Sequence, residues 1–192
     1  EALGVGPNMQ VLTTPYTFTA TAEVVRYLGA DPLFVDVEER TANIDPDRIA
    51  AALDAAARAG RRVAAIMPVH VGGRACAMEA ITSIAQRHGV PVVEDSAHAY
   101  PVVHRGRMLG TWGDVGVYSL YATKAITTGE GGVVVTRRDD IARRIRVMRL
   151  HGIDRDVWNR YTAANASWQY DVVEAGYKYN LTDLASAIGL AQ

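Results

Sequence analysis

Short apolar runs alternate along the chain with stretches in which apolar residues recur every three or four positions. The short runs predict buried strands, and the stretches between them predict helices with one face toward a core. The predicted strands are Val11–Thr14, Leu33–Val37, Val63–Val69 and Val90–Val93, and the predicted helices are Tyr16–Leu28, Pro46–Arg58 and Ala75–His88. Regular alternation of this kind favours βαβ units, in which a mostly parallel sheet is covered by helices.

The pattern changes after Asp95. Two further strands are predicted at Val115–Leu120 and Gly132–Thr136, with a glycine-rich turn between them, followed by a helix from Asp139 to about Leu150 and another from Asp183 to Gln192. The predicted fold class is α/β, a three-layer α/β/α arrangement in which helices lie on both faces of a mostly parallel, mixed sheet.

Composition narrows the possible functions without identifying one. The 192 residues carry a net charge of −1 and are 49% hydrophobic, which is typical of a globular domain and gives no basic surplus for binding nucleic acid. No apolar run is long enough to span a membrane, and the first residues do not resemble a signal peptide. The single cysteine, Cys76, fits a reducing compartment, so a cytoplasmic location is expected.

Lysine is rare in this chain. Only Lys124 and Lys178 occur beside 18 arginines. Either the coding sequence is biased toward arginine, or a lysine is kept for chemistry that arginine cannot perform. A lysine amine can lose its proton and form a Schiff base with a carbonyl, whereas a guanidinium stays protonated.

An acidic residue and a histidine follow one predicted strand, in the segment Val92-Val93-Glu94-Asp95-Ser96-Ala97-His98. Ligands of open parallel sheets bind beyond the carboxyl ends of the strands, where Asp95 could hold a protonated heterocyclic nitrogen. Asp95 could equally be the N-cap of a helix. His98 could contact the same ligand or be a buried histidine with satisfied hydrogen bonds.

The segment Ser119–Gly132 places Lys124 between a strand-end hydroxyl and a glycine-rich turn. Free backbone amides and a hydroxyl suit a phosphate group, although an ordinary hairpin turn would have a similar sequence. A strand-end acid, a phosphate site and a rare lysine together suit pyridoxal 5′-phosphate (PLP), which requires a lysine Schiff base and a carboxylate at its ring nitrogen.

Several segments resemble the DegT/DnrJ/StrS family of sugar aminotransferases, which belongs to the fold type I PLP enzymes. The resemblance extends through nearly the whole chain. The most specific segments are Thr127-Thr128-Gly129-Glu130-Gly131-Gly132 and Gly176-Tyr177-Lys178-Tyr179-Asn180-Leu181-Thr182-Asp183, and the others are Thr17–Thr21, Phe34–Val37, Pro68–His70, Glu94–His98, Thr123-Lys124 and His151–Ile153.

The resemblance implies roles for six residues. Lys124 would form the Schiff base and move protons, and Asp95 would pair with the pyridinium nitrogen. His98 would lie beside the phenolic oxygen and Phe18 would stack on the ring. Ser119 would bind the phosphate, and Asn180 would reach the phosphate of a neighbouring subunit, which implies a homodimer with shared active sites. The role of Lys178 stays open.

The implied reaction is PLP-dependent transamination of a nucleotide-linked keto-sugar, with an amino acid, glutamate in many relatives, as the donor. The family's Ser-Gly-Thr-Ala phosphate segment is expected just before Glu1 and a small domain after Gln192, so residues 1–192 are expected to be an incomplete PLP-binding large domain. The alternatives are a non-catalytic regulatory or partner subunit, an inactive fragment, or a fold type I enzyme that acts on amino acids, such as a cysteine desulfurase. A desulfurase needs a reactive cysteine in a mobile loop, whereas Cys76 lies at the start of a predicted helix. Relatives that act as dehydratases carry histidine in place of the lysine, and Lys124 argues against that branch.

Two features fit more than one interpretation. Four arginines of the helix that begins at Asp139 could bind an anion or form a solvated face, namely Arg143, Arg144, Arg146 and Arg149. The aromatic-rich segment from His151 to Tyr179 could contact another chain or fold over the protein's own core.

Overall fold

The computed structural model describes residues 1–154 and 170–192. The elements are β1 (Met9–Thr13), α1 (Ala20–Tyr27), β2 (Asp31–Phe34), α2 (Pro46–Arg58), β3 (Arg62–Ile66), α3 (Met78–His88), β4 (Val93–Asp95), β5 (Val103–His104), β6 (Arg107–Met108), β7 (Val115–Ser119), β8 (Gly132–Thr136), α4 (Asp139–Met148) and α5 (Asp183–Ala191). A short 3₁₀ turn covers Val71–Gly73.

The strands form two groups of three, in the orders β2-β1-β3 and β4-β7-β8. Within these two groups, all neighbouring pairs are parallel except β7 and β8, and the remaining strands β5 and β6 form a separate antiparallel pair. Parallel bridges from Ile66 to Val92 and from Val69 to Asp95 join the two groups between β3 and β4. The predicted mixed α/β sheet is therefore confirmed, and β8 is the antiparallel strand within it.

Helices cover both faces of this sheet. Leu12 and Ile66 point to the face on which α2 and α3 pack, and this side holds the larger apolar core. Their neighbours Val11 and Ala65 point to the opposite face and contact Val25 of α1. Alternation along each strand therefore divides the core between two layers of helices, as expected for a parallel sheet buried on both sides.

The limits of α2 follow directly from local sequence. Asp45 accepts a hydrogen bond from the Asp47 amide at 2.9 Å, and Pro46 occupies the first helical position, where it loses no intrahelical bond. Gly89 ends α3 in the left-handed conformation with φ 63°. Residues 46–58 were predicted to be helical, and the observed helix has the same limits.

Other boundaries differ from the predictions. Helix α1 begins at Ala20 rather than Tyr16, because the Tyr16 amide donates to the Thr14 hydroxyl in a turn that precedes the helix. Strand β4 covers Val93–Asp95, whereas the predicted strand covered Val90–Val93. The β5–β6 hairpin was not predicted, since its strands have two residues each; its turn places Arg105 and Gly106 at φ 49° and 77°.

Candidate functional site

Asp95 is the last residue of β4, at the carboxyl edge of the sheet. Its Oδ1 accepts a hydrogen bond from the Ala97 amide at 3.2 Å, and its Oδ2 accepts one from the Thr21 hydroxyl at 2.8 Å. Turns rather than a helix follow Asp95, so the alternative that it caps a helix is wrong. The carboxylate has acceptor capacity beyond these two bonds.

Phe18 lies two residues before the start of α1. The Thr21 amide donates to the Phe18 carbonyl at 3.2 Å, while the Thr21 side chain reaches Asp95. The Phe18 ring is 75% exposed. A largely uncovered aromatic side chain is able to stack on a planar ligand.

Lys124 lies in the loop that joins β7 to β8. The loop is closed at its base by the Leu120 amide, which donates to Gly131, and by the Thr128 amide, which donates to Leu120. The Lys124 amide donates to Tyr121 at 3.0 Å. Within residues 1–154 and 170–192, the Lys124 ammonium has no hydrogen-bond or ion-pair partner. The loop is thus both a hairpin connection and a support for an amine that remains available.

One cavity of about 860 Å³ brings together three of the six predicted residues, namely His98, Ser119 and Lys124. The lining of this cavity does not include Phe18, Asp95 or Asn180. The His98 side chain is exposed, so the alternative of a buried histidine is wrong and that of a ligand contact stays open. Ser119 lies at the end of β7, where its Oγ accepts the Tyr121 amide at 3.2 Å.

Tyr118 forms part of the wall of the same cavity. Its hydroxyl donates to the Leu109 carbonyl, and its ring meets that of Tyr100 edge-on at 5.8 Å. Burial, followed by the nearby Glu94 carboxylate, raises the pKa of the Tyr118 hydroxyl. Tyr118 therefore stays neutral and is held in place by a backbone acceptor.

A buried pair of one acidic residue and one histidine adjoins Asp95. Glu94 and His70 are both fully buried, with His70 Nε2 at 3.0 Å from Glu94 Oε2. The Cys76 amide donates to His70 Nδ1 at 3.2 Å, which places the ring proton on Nε2, facing Glu94. The His70 amide also donates to the Asp95 carbonyl at 3.0 Å, so the pair is tied to the strand end.

Glu94 also collects two backbone donors. The Gly110 amide donates to Oε2 at 2.8 Å, and the Gly113 amide donates to Oε1 at 2.6 Å. Burial alone would raise the pKa of Glu94, but the hydrogen bonds from His70, Gly113 and Gly110 outweigh it and hold the pKa below its ordinary value. The ionised carboxylate therefore holds two loops against β4: the β6–β7 loop, which contains Gly110 and Gly113, and the loop after β3, which contains His70. The sequence offered the acidic and histidine residues but no sign that they pair.

Asn180 lies apart from the cavity, although the next residue, Leu181, lines it. The Lys178 ammonium donates to Asn180 Oδ1, and the Asn180 amide donates weakly to the Leu181 carbonyl at 3.5 Å. The rings of Tyr177 and Tyr179 stack at 4.9 Å on either side of Lys178 in sequence. Lys178 is thus a surface residue, exposed beside Asn180.

The arginines of α4 are not a uniformly solvated face. Arg144 forms ion pairs with Glu1 and Glu174, both of which are far from it in sequence. Its Nε donates to the Glu1 carboxylate at 2.9 Å. Most of the aromatic-rich segment, including Trp158, Tyr161 and Trp168, lies outside the described residues. Among the described residues, no helix is long and apolar enough to cross a membrane, and no group of His, Cys, Asp or Glu side chains is arranged to bind a metal ion.

Comparison with known families gives a match along the whole chain. The model of the DegT/DnrJ/EryC1/StrS aminotransferase family matches residues 1–192. The spore coat polysaccharide biosynthesis protein SpsC of Bacillus subtilis is 45% identical over 192 residues, which are 100% of this chain and 48% of that protein. The chain therefore spans about half the length of the curated relatives it matches.

Solved structures agree in fold. A DegT/DnrJ/EryC1/StrS aminotransferase from Brucella abortus superposes with a TM-score of 0.87 at 34% identity, over 98% of this chain and 48% of that one. DesI, solved in the presence of its TDP-sugar product, gives 0.79 at 34% identity, over 98% of this chain and 44% of that one. The arrangement of strands and helices is that of these aminotransferases.

Proposed function

Because the chain belongs to the DegT/DnrJ/EryC1/StrS aminotransferase family, we propose that it takes part in PLP-dependent transfer of an amino group to a nucleotide-linked keto-sugar. The donor in this proposal is an amino acid, glutamate. The observation that carries the proposal is the Lys124 amine, which has no partner among the described residues and shares a cavity with Ser119 and His98. The similarity to DesI, which was solved in the presence of its TDP-sugar product, supports the choice of a sugar substrate.

The available groups fit the chemical demands of PLP. The cofactor requires an amine for its carbonyl, an acceptor for its protonated ring nitrogen and donors for its phosphate. Lys124 provides the amine, and Asp95 retains acceptor capacity after its bonds to Thr21 and Ala97. Ser119 provides a hydroxyl, and Gly129, at φ 80°, has open space where a side chain would begin.

Each of these side chains has a distinct role in the proposal. Lys124 Nζ is the covalent anchor of the cofactor and, once the donor amine replaces it, accepts the proton from the donor's α-carbon. Asp95 accepts the hydrogen bond of the ring nitrogen, Ser119 binds the phosphate and His98 lies beside the phenolic oxygen. Phe18 covers one face of the ring. When bound, PLP supplies a carbonyl for the amine and a ring that takes up the electron pair left by the departing proton.

Asn180 has a separate role in this proposal. It reaches the phosphate held by a neighbouring subunit, so that the active site is completed in a homodimer. Its position outside the cavity formed by His98, Ser119 and Lys124 is consistent with a contact to another chain. Cross-linking or sedimentation of the purified protein measures the stoichiometry, and a monomer that nevertheless binds PLP fully would contradict this part.

The test uses the fact that the chain has only two lysines. PLP is added to the purified protein, to Lys124→Arg and to Lys178→Arg, and the visible absorbance of the bound cofactor is recorded. Both substitutions keep the charge, but a guanidinium cannot bond covalently to the cofactor carbonyl. We expect the band in the wild type and Lys178→Arg and its loss in Lys124→Arg, with borohydride reduction fixing the label on Lys124.

Addition of glutamate tests the half-reaction. The Lys124-dependent band should fade as glutamate is consumed and 2-oxoglutarate appears in equal amount, and a keto-sugar nucleotide should restore it. A band that survives in Lys124→Arg, or that disappears in Lys178→Arg alone, would refute the assignment of Lys124. A Lys124-dependent band that no amino acid bleaches would favour a non-catalytic PLP-binding subunit.

A further inference from the structure

A chain of hydroxyl groups leads from the start of α1 to the carboxylate of Asp95. The Thr21 hydroxyl donates to Asp95 Oδ2 at 2.8 Å across 74 positions of sequence. Thr17 lies in the turn before α1, four residues before Thr21, and the two hydroxyl oxygens are 2.7 Å apart. Because the one hydrogen of Thr21 is given to Asp95, the bond between the two threonines must be donated by Thr17.

The donor side of the contact between Thr21 and Asp95 is buried, whereas Asp95 itself is half-buried. Thr21 is 4% exposed, in the first turn of α1, so its hydroxyl has no solvent to exchange with. Neighbouring hydrogen bonds polarise one another, so the bond from Thr17 strengthens the bond from Thr21 to the carboxylate. The Ala97 amide holds the other oxygen, Oδ1, at 3.2 Å.

These hydrogen bonds fix the orientation of the Asp95 carboxylate. With Oδ1 and Oδ2 each held by one donor, rotation of the Asp95 carboxyl about its terminal torsion is blocked, and its remaining lone pairs have set directions. We infer that Thr21, supported by Thr17, is a positioning residue that aims the Asp95 carboxylate at the ring nitrogen of the cofactor. The inference rests on the proposed function, because it assumes that Asp95 binds that nitrogen.

A suitable experiment compares two ligands that differ only at the ring nitrogen. The dissociation constants of PLP and of 1-deaza-PLP, in which a C–H replaces that nitrogen, are measured by titration with the wild type and variants. A charge-assisted hydrogen bond from the ring nitrogen to Asp95 should make the wild type prefer PLP by about tenfold or more. Thr21→Val, which keeps the shape but removes the donor, should reduce this preference to about twofold.

Two further variants separate positioning from packing. Thr21→Ser restores the hydroxyl and should restore the preference for PLP. Thr82→Val removes another partly buried helical hydroxyl, which donates to Met78 at 2.7 Å, and should leave the preference unchanged. If Thr21→Val fails to fold, Thr17→Val removes only the supporting bond and should reduce the preference by a smaller factor.

The possible results distinguish the inference from the proposed function. A wild type that binds neither ligand refutes the proposed function, and the inference with it. A wild type that prefers PLP while Thr21→Val keeps the same preference refutes the inference alone. Equal weakening of both ligands by Thr21→Val also refutes it, because a merely structural role would affect PLP and 1-deaza-PLP alike.

Discussion

Replacement of Glu94 by glutamine should lower the free energy of unfolding by about 2–3 kcal/mol, although the two side chains have nearly the same shape. The carboxylate is fully buried and accepts three hydrogen bonds. Oε2 accepts from His70 Nε2 and Gly110, whereas Oε1 accepts from Gly113 at 2.6 Å. A glutamine amide has only one oxygen. Its –NH2 group must therefore face a hydrogen-bond donor in the place where the second carboxylate oxygen accepts a bond in the wild type.

The orientation that causes least damage sets the magnitude. If the amide oxygen takes the place of Oε2, the bonds from His70 and Gly110 survive without their charge, and the amide nitrogen faces the Gly113 N–H. The loss of one bond to a charged acceptor costs about 1.5–3 kcal/mol, and the weakening of the other two adds about 1 kcal/mol. The lower cost of burying a neutral group offsets part of this sum.

The assay is urea unfolding at neutral pH, followed by circular dichroism, with Glu79→Gln as the matched control. Glu79 forms an exposed ion pair with Arg105 at 2.9 Å, so its neutralisation should change the free energy several times less. In thermal melts Glu94→Gln should unfold about 5–10 °C below the wild type. A loss no larger than that of Glu79→Gln would refute the argument that the ionised Glu94 holds the two loops.

Three other outcomes follow from the same structure. The pKa of Glu94 in the folded protein lies below its unfolded value of about 4.3. The stabilisation that the Glu94 carboxylate provides is therefore complete above that pH and is lost as the pH falls through the folded pKa. In urea titrations below about pH 4, the difference in free energy of unfolding between the wild type and Glu94→Gln should shrink. Burial, followed by the charge of Glu94, raises the pKa of Cys76 to about 12. Ellman's reagent at pH 8 should therefore label Cys76 far more slowly in the native protein than in urea. Equal labelling rates would contradict the burial of the thiol. Gly73→Ala would place a Cβ 2.8 Å from the His98 carbonyl oxygen, at a φ of 79°. The control is Gly60→Ala, where φ is 65° and the surroundings are open. Gly73→Ala should lower the free energy of unfolding by at least about 1 kcal/mol more than the control, and equal losses would show that the contact with His98 is unimportant.

Much of the architecture was predictable because its signals are local. The Asp45-Pro46 start of α2 and the Gly89 end of α3 are decided by bonds within a few residues, and both were placed correctly. The limits of β4 were not, because strand pairing depends on neighbours such as Val115 and Val117 that lie about twenty residues away. The β5–β6 hairpin was missed because two-residue strands have no periodicity.

The candidate site divides in the same way. The rarity of lysine and the glycine-rich turn that follows it together indicate Lys124, and the acidic end of a buried strand indicates Asp95. The same patterns left His98 open to two interpretations, and its exposed side chain excluded the buried one. The roles of these residues toward PLP belong to the proposed function.

By itself, the sequence determined the order of the strands and helices apart from β5 and β6, the mixed sheet and the identity of the rare amine. Only the tertiary structure decided which buried groups pair, because the partners lie far apart along the chain. Thr21 meets Asp95 across 74 positions, and His70 meets Glu94 across 24. A donor removed from water must find an acceptor wherever packing places one, and packing is set by all the elements of the fold together.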